Sequence, residues 1–254
     1  MKVPTNTLLK GVFLLLFAST LISCGSTLAQ KREEAEIHFR LGSVHLNERN
    51  YTDALKELTA AVEMHPGEPS YHNALGLAYF ARNMNSEAIK EMKKAIELNP
   101  KFSEAHVALS AVYIVDGRWD AAIQSARAAL DNIFYGTPQF AHYNMGQAFF
   151  NKGDYKAALE SYRKAADEDP RYALAYYSMG LTLDKMNNYR DSAEAYERAV
   201  KAAPAFANAW FNLGVALLKQ NDKAGAQKAF EKAIEVAPEG ERAQAARDYI
   251  RLLK

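Results

Sequence analysis

The sequence predicts an all-α solenoid of six helical hairpins, and three observations predict it. A small residue recurs at nearly fixed spacing: Gly42, Gly76, Ser110, Gly146, Gly180 and Gly214 lie 34, 34, 36, 34 and 34 residues apart. Further small residues keep the same register, with Ala54, Ala88, Ala122, Ala158, Ser192 and Ala226 twelve positions later, and Ala61, Ala95, Ala129, Ala165, Ala199 and Ala233 seven beyond those. Proline closes five of the six units, at Pro66, Pro100, Pro170, Pro204 and Pro238. Self-similarity at a period of about 20 to 50 residues marks a stacked-repeat architecture, in which no unit buries its apolar face alone.

Taken in order, the first 24 residues speak to compartment. Lys2 and Lys10 precede the apolar run Val12 to Ala18, and small and apolar residues lead to Leu21-Ile22-Ser23-Cys24. A charged start, a short apolar core and a small residue before the cut make an export signal. The run is shorter than the roughly 20 residues of a transmembrane helix. Leu21 to Cys24 resembles the bacterial lipobox, which implies cleavage before a cysteine carrying lipid, palmitate included. Cys24 is the only cysteine among 254 residues, so the chain forms no internal disulfide. The expected organisation is a signal peptide over 1–23, a lipidated cysteine and polar tether over 24–34, six repeats over 35–240 and a capping helix over 241–254. Gly25 after the cysteine, where retention in the inner membrane would call for Asp in enterobacterial lipoproteins, implies the periplasmic face of the outer membrane. The mature chain would carry 29 basic and 30 acidic residues, a balance that points away from nucleic acid.

Within each unit the spacing predicts two helices that approach most closely at the small residues. Turns fall at Arg49-Asn50-Tyr51, Gly117-Arg118-Trp119, Gly153-Asp154-Tyr155 and Asn187-Asn188-Tyr189. Gly and Asn tolerate the left-handed backbone that ends a helix, and proline stops the second helix. An apolar residue precedes each Gly or Ser, as Leu41, Leu75, Leu109, Met145, Met179 and Leu213. The whole resembles the tetratricopeptide pattern, W-x-x-L-G-x-x-Y followed by A, F, A and P, across residues 35–240. That resemblance implies a right-handed superhelix. The last unit needs a cap with a polar outer side, and Ala243, Ala246, Tyr249, Ile250 and Leu253 recur at helical spacing with Arg242, Arg247 and Arg251 between them. The third unit departs from the pattern: it lacks its proline and runs Asp131-Asn132-Ile133-Phe134-Tyr135-Gly136-Thr137-Pro138. Either the loop has drifted, or it is a distinctive junction that changes the pitch of the superhelix or offers a contact, since exposed Ile133, Phe134 and Tyr135 would be costly without a partner or a packing site.

The residues point away from catalysis. His38, His72, His106 and His142 share one register in the first four units, and equivalent positions on stacked helices lie roughly 8–10 Å apart. Metal ligands must all reach about 2.0–2.1 Å from one ion, so packing is expected instead. Ser161-Tyr162-Arg163-Lys164 matches S-x-x-K, but on a helix with no strained turn. Asn50-Tyr51-Thr52 is a glycosylation sequon without consequence in a bacterium. No phosphate loop, paired His-Glu zinc motif or cysteine cluster stands in the sequence. No cofactor, no metal and no small-molecule substrate are expected, and the chain is read as no enzyme.

In the tetratricopeptide family the first helix of each unit lines the concave face. Carried onto this sequence, that places Phe39 and Ser43, Asn73 and Phe80, Val107 and Ile114, Tyr143, Gln147 and Phe150, Tyr177 and Leu181, and Phe211 and Val215 in a groove. Asn144 and Asn212 stand where related superhelices hydrogen-bond an extended peptide. The lining is aromatic and nearly uncharged, which suits an extended or amphipathic protein segment held by aromatic anchors. Lipobox, length and repeats together resemble the PilF, PilW and Tgl family of type IV pilus biogenesis lipoproteins, as does the Tyr135 to Pro138 link before Phe140 to Gly146. That resemblance implies a pilotin that helps the outer-membrane secretin assemble. Two alternatives stay open: an envelope adaptor docking peptidoglycan hydrolases or proteases, and an accessory subunit of an export complex. The anchoring expectation is directly testable. Cys24→Ala is expected to abolish incorporation of an azido fatty acid and to leave an uncleaved precursor; equal label in the mutant would refute lipidation.

Overall fold

The computed structural model describes residues 28–253, and every regular element among them is a helix. The signal peptide and Cys24 lie outside the described residues. The chain divides into two compact units between Pro100 and Lys101. The first holds α1 (28–47), α2 (Tyr51–Met64), α3 (Pro69–Ala81) and α4 (Asn85–Leu98). The second holds α5 (Ser103–Val115), α6 (Trp119–Leu130), α7 (Pro138–Lys152), α8 (Tyr155–Glu168), α9 (Ala173–Lys185), α10 (Tyr189–Ala202), α11 (Ala207–Lys219), α12 (Lys223–Val236) and α13 (Glu241–Leu253). One expectation is corrected here. Residues 28–34, read as polar tether, are the first two turns of α1, because Gln30, Lys31, Arg32, Glu33 and Glu34 are all good helix formers with no turn residue among them.

Each hairpin turns at a residue with positive φ seven positions after the repeat's Gly or Ser: Arg49, Asn83, Gly117, Gly153, Asn187 and Asn221, at φ 58 to 80°. Asp154, Asn188 and Asp222 then cap the second helix by accepting from the backbone N–H groups of Ala157, Asp191 and Gly225. Pro69 and Pro138 open α3 and α7 in the first turn, where the missing N–H costs nothing.

The repeat glycine sets how closely the two helices of a hairpin approach. A methyl group built on Gly42 would meet Leu58 at 2.6 Å, on Gly76 Met92 at 2.8 Å, and on Gly214 Phe230 at 2.6 Å. The partner always stands sixteen residues after the glycine, and the same space at Gly146 and Gly180 is filled by Tyr162 and Tyr196. The third hairpin inverts the arrangement. Ser110 replaces glycine, the residue sixteen later is only Ala126, and the buried hydroxyl donates to the Ala122 carbonyl at 2.9 Å. Volume is conserved across the contact, as close packing requires.

The loop after α6 resolves the irregularity noted above. Asn132 binds the loop together, accepting from Phe134 N–H at 3.0 Å and donating to the Lys101 carbonyl at 3.2 Å. Tyr135 turns inward against Ala126, Ala129 and Ala141, while Ile133 and Phe134 stay 85% and 87% exposed. At the C-terminal end α13 lies over α12: Tyr249 stacks on Phe230 with centroids 5.0 Å apart, and the Arg242 guanidinium sits 5.0 Å over Phe211. No described helix is long and apolar enough to cross a membrane.

The glycine contact yields a stability prediction. Gly214→Ala forces a methyl group against the fully buried Phe230 ring, and is expected to destabilise by about 1–3 kcal/mol. Gly67→Ala, with open space around it, is the matched control. Equal denaturant midpoints for the two variants would contradict the close-approach account.

Candidate functional site

The sequence stripe on α7 and α9 does converge. Tyr143, Gln147, Phe150 and Asn151 of α7, Tyr162 of α8, and Leu174, Tyr177, Ser178 and Leu181 of α9 line a pocket of about 270 Å³. That volume is just under the usual 300–1,000 Å³ of small-molecule sites and suits one or two apolar side chains of a protein segment. No charged residue lines it. Its walls are rings held by rings: Tyr143 lies 5.6 Å from Tyr162 and 5.2 Å from Tyr172, Tyr177 4.7 Å from Phe206 and 5.8 Å from Tyr196, and Phe150 5.6 Å from Tyr155.

The polar atoms are sparse and placed. Gln147 Nε2 donates to the Tyr143 hydroxyl at 3.3 Å, leaving its amide oxygen as an acceptor. Burial pushes the Tyr162 hydroxyl well above the usual tyrosine value, with the Tyr143 ring adding to the shift. Tyr177 is raised mainly by burial as well. Both phenols therefore stay protonated at neutral pH.

Other expected groove residues have different fates. Phe211 is corrected from anchor to packing residue: it is 6% exposed and wedged between Phe230, at 5.6 Å, and Tyr249, at 6.0 Å. Asn144 and Asn212 spend their amides inside the fold, donating to the Val107 carbonyl at 3.1 Å and the Tyr177 hydroxyl at 3.2 Å. In the first unit Phe39 stacks on Tyr71 at 4.8 Å, and Phe80 is half-buried on α3. Asn73 is half-buried, and its Oδ1 is sequestered with no hydrogen-bond partner among the described residues. Sequence reasoning missed Asn151, Tyr162, Leu174 and Ser178. Leu174 and Ser178 were findable, since 174, 177, 178 and 181 form one helical stripe.

Two of the histidines are tied to carboxylates within the fold. His38 Nδ1 meets Glu57 at 2.6 Å, and His72 Nδ1 meets Glu91 at 2.7 Å while its Nε2 reaches the Pro66 carbonyl at 3.0 Å. His142 is held neutral by burial first and by Lys164 second. No three His, Cys, Asp or Glu side chains gather as a metal site among the described residues. Roomier hollows of about 340 Å³ beside Arg163 and Arg198, and 520 Å³ beside Lys90 and Lys94, are lined by charges of both signs on second helices.

Helical hairpins stacked at a 34-residue period, with an uncharged aromatic pocket between successive first helices, define a repeat scaffold for protein segments. The chain belongs to the tetratricopeptide repeat family, whose models match residues 27–69, 39–91, 73–133 and 177–241, and 146–187. No curated protein matches it. Its fold is similar to that of PilF from Pseudomonas aeruginosa, at 17% identity and TM-score 0.74 over 86% of this chain and 99% of that one. It is similar to PilW, a widely conserved type IV pilus biogenesis factor, at 15% identity and TM-score 0.76 over 84% and 98%. It also resembles YrrB, a tetratricopeptide protein with an unusual peptide-binding site, at 20% identity and TM-score 0.56 over 75% and 97%.

The correction at Phe211 is measurable. Phe211→Ala empties a buried site and is expected to cost about 3–5 kcal/mol, seen as an early-melting phase in circular dichroism. Phe150→Ala, at a half-buried wall, is expected to leave the melt nearly unchanged. Equal loss in both would return Phe211 and Phe150 to the same class.

Proposed function

We propose that the chain is a non-catalytic, lipid-anchored scaffold of the outer membrane that grips an extended apolar segment of the type IV pilus secretin and helps that ring assemble. The observation that carries the binding half is the uncharged pocket of Tyr143, Phe150, Tyr177 and Leu181, which offers rigid rings at its walls and amide acceptors at its rim. Rigid aromatic walls lose little conformational entropy on binding, so the apolar contact is realised almost in full. The pilus half is supported by the fold-level likeness to PilF and PilW over most of all three chains and by the lipobox ending in Cys24.

The scaffold's part in assembly is physical rather than chemical. A segment bound in the pocket is withheld from non-productive association, and the anchor, by confining the complex to two dimensions, raises the effective concentration of subunits beside one another. Two lipid chains or more are needed for that anchoring to be stable.

The test separates pocket from protein. Phe150→Ala with Leu181→Ala is expected to weaken partner binding by at least twentyfold, the effect of losing about 2 kcal/mol of anchor contact, while the helices stay folded. SDS-resistant secretin multimers and surface pili are expected to fall with it. Normal multimers with the folded double variant would remove the pocket from this role. Normal multimers in a strain lacking the gene would remove the secretin as partner and leave the envelope-adaptor alternative.

A further inference from the structure

The two ends of the repeat array are finished differently. At the C-terminal end α13 covers the last hairpin and presents Gln244, Asp248 and Arg251 outward, with Leu252 exposed in its last turn. At the N-terminal end α1 carries Ile37, Leu41 and Val44 on one helical face, and they are 53%, 47% and 50% exposed. The fold itself shows what such a face is for. The matching positions in later hairpins lie against the second helix of the hairpin before. In the first unit Tyr71 packs on Ala61, and Leu75 and Ala78 pack with Leu58. In the second, Ala141 packs on Ala126 and Ala129, Ala175 on Ala165 and Ala166, and Ala209, Leu213 and Ala216 on Tyr196, Ala199 and Val200. On α1 the same register is neither polar nor small: Ile37 and Val44 replace the alanine that prevails elsewhere. Terminal repeats ordinarily need a polar outer face.

Charge selects the occupant. At 100° per residue, Glu33 and Glu34 continue the exposed stripe toward one end, and Glu48 continues it toward the other. Arg40 on its flank is already paired with Glu36 at 2.8 Å. Antiparallel pairing of two α1 helices about Leu41 would bring Glu34 of one copy to Glu48 of the other, which disfavours self-association. Carboxylates at both ends also disfavour an anionic lipid surface.

We propose that the outward face of α1 docks an amphipathic helix of a partner protein, one with small apolar residues along its contact stripe and Lys or Arg at both ends of it. The helix stands where the second helix of a preceding hairpin would stand, adding one layer to the solenoid. This site is distinct from the aromatic pocket on α7 and α9.

The test uses the full chain in phosphatidylcholine nanodiscs and two synthetic helical peptides. They share an Ala/Leu stripe; Lys flanks it in one and Glu in the other. Fluorescence anisotropy is expected to show the Lys peptide binding at least tenfold tighter than its Glu twin, above empty discs. Leu41→Gln with Val44→Gln, exposed and therefore tolerated by the fold, should lower that affinity at least tenfold. Glu33→Lys, Glu34→Lys and Glu48→Lys together should reverse the preference between peptides. Equal binding of both peptides, indifference to the stripe variant, or matching signal from empty discs would overturn the proposal. So would a dimer of the parent chain that Leu41→Gln dissolves, since a second copy would then be the occupant.

Discussion

The close approach of two helices at the repeat glycine is the contact on which the remaining structure depends. Without a side chain at Gly146 and Gly180, the rings of Tyr162 and Tyr196 enter the hairpin and fill the space a side chain would take. Those rings, and Phe230 at Gly214, in turn support the aromatic three residues before Gly146, Gly180 and Gly214. Tyr143 rests on Tyr162, Tyr177 on Tyr196 and Phe211 on Phe230, at 5.6, 5.8 and 5.6 Å. A backbone constraint thus propagates outward into the walls of the pocket. In the third hairpin, where Ser110 closes the gap, the residue in the ring's place is Ala126 and that in the wall's place is Val107. The pocket therefore begins at α7, where glycine and ring return together.

The same register also explains why equivalent residues do unequal work. Tyr143, Tyr177 and Phe211 occupy one position in three successive hairpins. The first two are followed by another hairpin that leaves part of each ring open to the pocket. Phe211 is followed by α13, whose Tyr249 and Arg242 close over it. The asparagines next in line serve the array rather than a ligand. Asn212 reaches back to Tyr177 and Asn144 to Val107, each joining its helix to the first helix before it. Side-chain amides on this face act as rivets between layers.

What the sequence disclosed follows from periodicity. The hairpins, their turns and the stripe of Tyr143, Gln147, Phe150, Tyr177 and Leu181 were legible, because each rests on spacing within about one repeat. The start of α1 was not, since an exposed run of polar helix formers ahead of the first repeat carries no apolar periodicity to mark it as helix. Nor was the burial of Phe211, which rests on a cap thirty or more residues downstream. The run Ile133-Phe134-Tyr135 was legible as unusual but not as divided. Only Tyr135 finds alanines to pack on, and Asn132 holds the other two outward.

An uncharged pocket discriminates chiefly by exclusion. A segment presenting Lys or Asp to the space between Tyr143 and Leu181 would surrender hydration to walls that hold no counter-charge, and buried unpaired charge costs several kcal/mol. One extra methylene in the right place gains only about 0.8 kcal/mol. In the role proposed for it, this site is therefore sharper against charge than among apolar residues, admitting many aliphatic or aromatic anchors and refusing charged ones. Fine discrimination among apolar segments must come from elsewhere along the partner: from backbone hydrogen bonds to Gln147 and Asn151, and from the register in which successive anchors meet the hairpin spacing. A scaffold with the proposed role, refusing charge but tolerating apolar variety, would suit a partner segment that is buried in its own final assembly, since such a segment carries the same apolar stripe for its own reasons.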